Sequence, residues 1–141
     1  MPRFQIKIAK PVRFKAPRLT AAFMDRLGRE AEAVVRQRIG RAVSVHDQPA
    51  QPLTKRYARY KQRKIGSNKR DWRLTGAMMK SLGVLKTQRR RAVIGFQSRL
   101  QAKKAAINQA RAPMFGLSGR DQQKLSAKIE ALIGTLIRKR R

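Results

Sequence analysis

Apolar positions in this chain recur with two different periods, and the switches between them divide it into elements. Phe4, Ile6 and Ile8 alternate with Gln5, Lys7 and Ala9, the period of a half-buried strand, which Pro11 ends. The stretch to Pro17 is basic and punctuated by proline, so residues 1–17 read as a strand followed by an extended basic arm. From Arg18 or Leu19 to about Val43 the period changes. Leu19, Phe23, Leu27, Ala31, Val34, Val35, Ile39 and Ala42 recur every three or four positions and predict a long amphipathic helix, with Pro17 just before it.

Pro49 and Pro52 make residues 46–53 a loop. Thr54 is placed to cap a short helix through Tyr57, Ala58 and Tyr60, which Gly66 ends; like charge crowds that helix, so it needs a partner. Residues 74–96 then order the rest of the chain. Leu74, Met78 and Leu82 share one face of a helical turn, Val84 to Thr87 and Ala92 to Phe96 read as strands, and the basic bend at residues 88–91 joins them as a hairpin. Such a ribbon is not stable until something apolar covers it.

An alanine-rich helical stretch covers residues 100–107 and ends before Pro113, and Met114, Phe115, Gly116 and Leu117 read as an apolar anchor. Ser118 then caps a last helix, with Asp121 as the acceptor three residues on. Its apolar face is Leu125, Ile129, Leu132, Ile133, Leu136 and Ile137, more fitting for a core or subunit interface than for a membrane. The expectation is one α+β domain over residues 1–141, in which the long N-terminal helix and the C-terminal helix cover a small antiparallel sheet with a projecting hairpin.

Charge changes this picture. Lys and Arg number 36 against 7 Asp and Glu, a formal net charge of +29, which favours a polyanion or an acidic surface as partner. The densest part carries Lys55, Arg56, Arg59, Lys61, Arg63, Lys64, Lys69, Arg70 and Arg73, interleaved with Tyr57, Tyr60 and Trp72. That composition suits phosphate neutralisation with base stacking; equally, the aromatics pack on the core or on a neighbouring subunit while the cations solvate the outside. Arg89, Arg90 and Arg91 at the hairpin bend either reach a polyanion or form a solvated turn.

Chemistry of other kinds is poorly provided for. There is no cysteine and a single histidine, His46 beside Asp47, and the seven carboxylates have no spacing that forces two into one site. We therefore expect no enzyme, no cofactor and no metal. Neither a signal-peptide core nor a membrane-length apolar run is present, and synthesis in the cytoplasm is expected.

The order of these elements resembles the virion-morphogenesis or tail-completion proteins of tailed bacteriophages. The first shared motif is Leu74, Thr75, Gly76 and Ser81; the second is Arg111, Pro113, Phe115, Gly116, Leu117 and Ser118 before the terminal helix. Leu53, Thr54, Tyr57, Lys61 and Gly66 resemble the stretch that introduces the first motif. Met78, Ala112 and the net charge depart from the family pattern.

The resemblance implies a structural role in the virion, at the head-tail junction or the top of the tail. Such proteins form a ring, often sixfold, beside connector and tail proteins. On that implication Leu19, Phe23 and Leu27 of the first helix and Val84, Val93 and Phe96 of the ribbon are inter-subunit surfaces, and the basic segments line a channel for genomic DNA. The rival reading is a nucleic-acid-binding protein of a ribosomal or nucleoid kind. Apolar surface that one small core leaves uncovered on the two long helices marks the ring; most of the charge in contact with phosphates, and RNA or DNA binding that falls steeply with salt, marks the rival.

Overall fold

The computed structural model describes residues 3–7, 19–73 and 76–138. In chain order the elements are β1 (Arg3–Lys7), α1 (Ala21–Gly40), α2 (Lys55–Ile65), α3 (Ala77–Ser81), β2 (Leu82–Gln88), β3 (Arg91–Phe96), α4 (Arg99–Arg111) and α5 (Gly119–Arg138). The fold is α+β, as the patterning predicts. The sheet is antiparallel, in the order β1-β3-β2, with the hairpin closed by a two-residue turn at Arg89 and Arg90.

Strand alternation assigns the two faces. Phe4 and Ile6 of β1 stand opposite Ile94 and Ala92 of β3 and point into the core, which α1 fills from above with Met24, Leu27, Ala31, Val35 and Ile39. Gly28 lets α1 approach closely, since a Cβ there would lie 3.1 Å from both Ala92 Cβ and Val84 Cγ2. Helix α5 packs on α1 rather than on the sheet. Phe115, from the α4–α5 connection, lies 5.1 Å from both Phe4 and Phe96 between ring centroids, so an aromatic cluster ties the N-terminal strand to the second half of the chain.

Several boundaries differ from the sequence reading for local reasons. Thr20 caps α1, its hydroxyl accepting the Phe23 N–H at 3.1 Å, so the helix starts later than Leu19, while Pro17 lies outside the described residues. Thr54 occupies the N-cap position of α2 but its side chain caps nothing. Ile8, the basic arm, Leu74 and Thr75 also lie outside the described residues. A register shift between Val84 and Lys86 makes a bulge that turns Leu85 outward.

Candidate functional site

The two motif regions are gripped by two arginines of α1. Arg36 pairs with Glu32 at 2.7 Å and reaches the end of α3, donating from Nη2 to the Leu82 carbonyl at 2.6 Å and from Nη1 to that of Met79. The Met79 carbonyl also accepts the Leu82 N–H, and the guanidinium adds a charged donor at the C-terminal end of α3, where a cation is favoured. Gly76 precedes α3 at φ 77°, where glycine is favoured. Ser81 ends α3 with its hydroxyl accepting the Ser98 N–H at 2.8 Å, which fixes the start of α4 against the hairpin.

Arg38 does the same for the second motif. Its Nε donates to Asp121 Oδ2 at 2.7 Å, Nη1 to the carbonyls of Val43 and Met114 at 2.9 Å each, and Nη2 to that of Gly116 at 2.6 Å. Gln109 holds the other side of the loop, its Oε1 accepting the N–H groups of Met114 and Phe115 at 2.9 and 2.8 Å. Gly116, at φ 129°, supplies a turn that a side chain would strain. Ser118 and Asp121 form a reciprocal cap, Asp121 N–H to Ser118 Oγ and Ser118 N–H to Asp121 Oδ2, both 3.1 Å. Pro113 is exposed and its carbonyl accepts from the Val45 N–H, whereas Leu117 packs against the core. In the described residues, then, the motifs build scaffold.

The cationic segment divides by burial. Lys55, Arg56, Arg59, Arg63, Lys64, Lys69 and Arg73 are exposed, and Arg70 is half-buried with its guanidinium on the carbonyls of Gln51 and Pro52, at 2.6 and 3.1 Å. Lys61 departs from the expectation of a polyanion contact. It is only 2% exposed, and its ammonium is committed to Asp71 and to the Lys69 carbonyl. Trp72 departs too: it is buried, 6.3 Å from Phe96 between ring centroids, and so belongs to the core rather than to a stacking platform. Tyr57 and Tyr60 stay exposed, with Lys64 Nζ 5.6 Å from the Tyr60 ring centroid. Because Lys61 is the only buried residue of α2, this helix stands out from the core as a cationic arm anchored by one ion pair. At the hairpin turn Arg89 and Arg90 are exposed and Arg91 is half-buried.

The expected interface residues are distributed differently. Leu27 and Phe96 are core and Val93 is buried, so these three are covered within the subunit. The first helix and the ribbon spend their apolar faces on each other. Phe23 and Val84 are partly buried against that core, and Leu19 is half-buried. Apolar surface remains elsewhere. The α5 stripe is buried at Leu125 and opens toward its end, where Leu136 and Ile137 are 36% and 48% exposed. On α4, Leu100 and Ile107 lie two turns apart and are 59% and 58% exposed.

The carboxylates are mostly committed to structure. Asp25 pairs with Arg29, raising the guanidinium pKa, Glu30 with Lys128, Glu32 with Arg36, Asp71 with Lys61 and Asp121 with Arg38. Asp47 is held below the ordinary carboxylate range by the Ser118 hydroxyl and the Arg120 N–H. His46 is an exposed loop residue whose N–H meets Ser44 Oγ at 3.3 Å. Among the described residues no three metal-binding side chains cluster, and no helix is long and apolar enough to cross a membrane.

Sequence reasoning missed Arg36, Arg38 and Gln109. A signal for Arg38 exists: it falls on the apolar stripe, four residues after Val34 and next to Ile39, where a cation must be paired if the stripe is buried. Comparison with known protein families, characterised proteins and solved structures found no match to the chain.

Proposed function

We propose that this chain is a non-enzymatic structural subunit of a tailed-phage virion, closing into a homo-oligomeric ring at the head-tail junction or the top of the tail. The observation that carries the reading is the open end of the α5 stripe. An amphipathic helix whose apolar face outruns its own core, in a chain of this charge, gains stability by burying that face against another subunit. A ring repeats each such contact at every subunit, so a small patch suffices. The motif resemblance supplies the position in the virion, with connector and tail proteins as neighbours. Exposed cations on α2 and at Arg89 and Arg90 face genomic DNA without reading its sequence.

A second reading has its own support. Helix α2 presents five exposed cations and two exposed tyrosines away from the core, which also suits a nucleic-acid-binding protein of a nucleoprotein particle. Antibody labelling of purified phage particles in electron micrographs separates the two. The virion reading predicts label at the junction of head and tail; label confined to host nucleoprotein, with none on particles, contradicts it.

A further inference from the structure

Among the described residues the core lies on one face of the sheet, and the other face carries charge. In the antiparallel register Arg3, Gln5 and Lys7 stand opposite Gly95, Val93 and Arg91, while Lys86 and Gln88 stand opposite Val93 and Arg91 from the other side. All of these lie on the face away from Phe4, Ile6, Ala92 and Ile94, which line the core under α1.

This register is unfavourable for the isolated chain. Lys7 and Arg91 are directly opposed, Lys86 is the diagonal neighbour of Arg91, and like charges so placed repel. The chain offers no counter-charge on the strands, because none of its seven carboxylates lies in β1, β2 or β3. Arg3, Lys7 and Lys86 are exposed, and Arg91 is half-buried, its Nε covered and without an acceptor among the described residues, so that its terminal amines are what it offers to a partner. A cationic cluster with this geometry is completed from outside, by an anion.

The composition of the face selects the anion. Val93 is 7% exposed, and Leu85, which the bulge turns outward, is the one exposed aliphatic side chain on the described strands, at 37%; that is too little for the apolar centre of a protein interface. No aromatic is present for base stacking. What remains is ammonium, guanidinium and amide donors, the set that binds phosphate oxygens without reading sequence. From Arg3 to Lys7 the strand spans about 13 Å, over which duplex DNA carries roughly eight phosphate charges.

We infer that this sheet face is a platform for the DNA phosphate backbone, with Lys7, Lys86 and Arg91 at its centre and Arg3 at its far end. The inference rests on the proposed function only in taking DNA as the polyanion within reach.

The test is fluorescence-anisotropy titration of a short DNA duplex with the full chain over a range of salt, comparing wild type with K7Q/K86Q/R91Q and with R56Q/R59Q/R63Q on α2. The sheet variant is expected to lower the slope of log affinity against log salt by about 0.9 per contact, roughly 2.7 in all, alike for unrelated sequences. Its unfolding temperature without DNA is expected to hold or rise, since repulsion is relieved. The charge-preserving K7R/K86R is expected to keep the full slope. An unchanged slope in the sheet variant, or a slope lost only from the α2 variant, overturns the platform. So does loss of polyglutamate binding with DNA binding intact, which assigns the face to an acidic protein. Mass measured on the same samples reads assembly separately: a wild-type monomer that still loses slope in the sheet variant ends the ring and leaves the platform standing.

Discussion

Arg38 and Asp121, one in α1 and the other in the first turn of α5, form an ion pair of 2.7 Å with side chains only 5% and 3% exposed. The same guanidinium binds three backbone carbonyls, and the same carboxylate accepts the Ser118 N–H. Removing one partner strands a buried charge, so Arg38→Met is expected to cost about 3–5 kcal/mol in chemical denaturation. Adding Asp121→Asn is expected to recover little, because the carbonyls of Val43, Met114 and Gly116 remain unpaired. Full recovery in the double variant would mean that the ion pair alone accounts for the loss.

Lys61 makes a different prediction because it anchors a helix that is otherwise exposed. Lys61→Ala removes the partner of Asp71 and the donor to the Lys69 carbonyl. Loosening is expected to stay local. Amide hydrogen exchange should speed in α2 by one to two orders of magnitude, roughly the effect of an interaction of about 1.5–3 kcal/mol, while α1 and β3 keep their protection. Equal acceleration throughout would show that α2 is integral to the core.

Asp47 gives the pH dependence its sign. Its folded pKa lies below the ordinary 3.8, through the Ser118 hydroxyl and then the Arg120 N–H. Its contribution to stability is therefore present above 3.8 and lost as pH falls through the folded value. Asp47→Asn keeps a residue that tolerates the positive φ of 59° at this position. The denaturation midpoints of wild type and variant should differ at neutral pH and converge in acid. A constant difference at all pH values would mean that the carboxylate charge has no part.

How much of this was legible in the sequence depends on the range over which each signal acts. The alternation at Phe4 and Ile6, the hairpin, the α1 and α5 stripes and the Ser118–Asp121 cap are local patterns, and the structure follows them. Lys61 and Trp72 were open to misreading, because a basic aromatic segment looks the same whether its cations face solvent or one of them turns inward. What turned Lys61 inward was a carboxylate ten residues on, beyond the reach of helix periodicity. Arg38 meets Asp121 across 83 residues, a pairing that only the tertiary fold creates. The expected interface was open to misreading for a related reason: Leu27 and Phe96 read as surplus apolar surface, whereas the close approach at Gly28 lets α1 and the sheet bury them; Val93 is buried on the opposite face, and Leu19, Phe23 and Val84 are only partly covered.

The end of α5 is where the assembly claim becomes specific. Leu136→Glu with Ile137→Glu changes exposed side chains, so monomer stability should move by no more than about 0.5 kcal/mol. Assembly should fail at concentrations where the wild type is fully associated, as read by sedimentation velocity. An oligomer unaffected by both substitutions would place the interface elsewhere, with Leu100 and Ile107 of α4 next in line.

The most direct test of the ring is the mass of the purified wild-type chain in high salt without DNA. The account predicts a closed oligomer of one defined size that persists as salt rises, since apolar burial holds it together and screening weakens the repulsion between its cations. A monomer that assembles only on added DNA, and dissociates as salt rises, would contradict it and assign the charge of this chain to nucleic-acid binding.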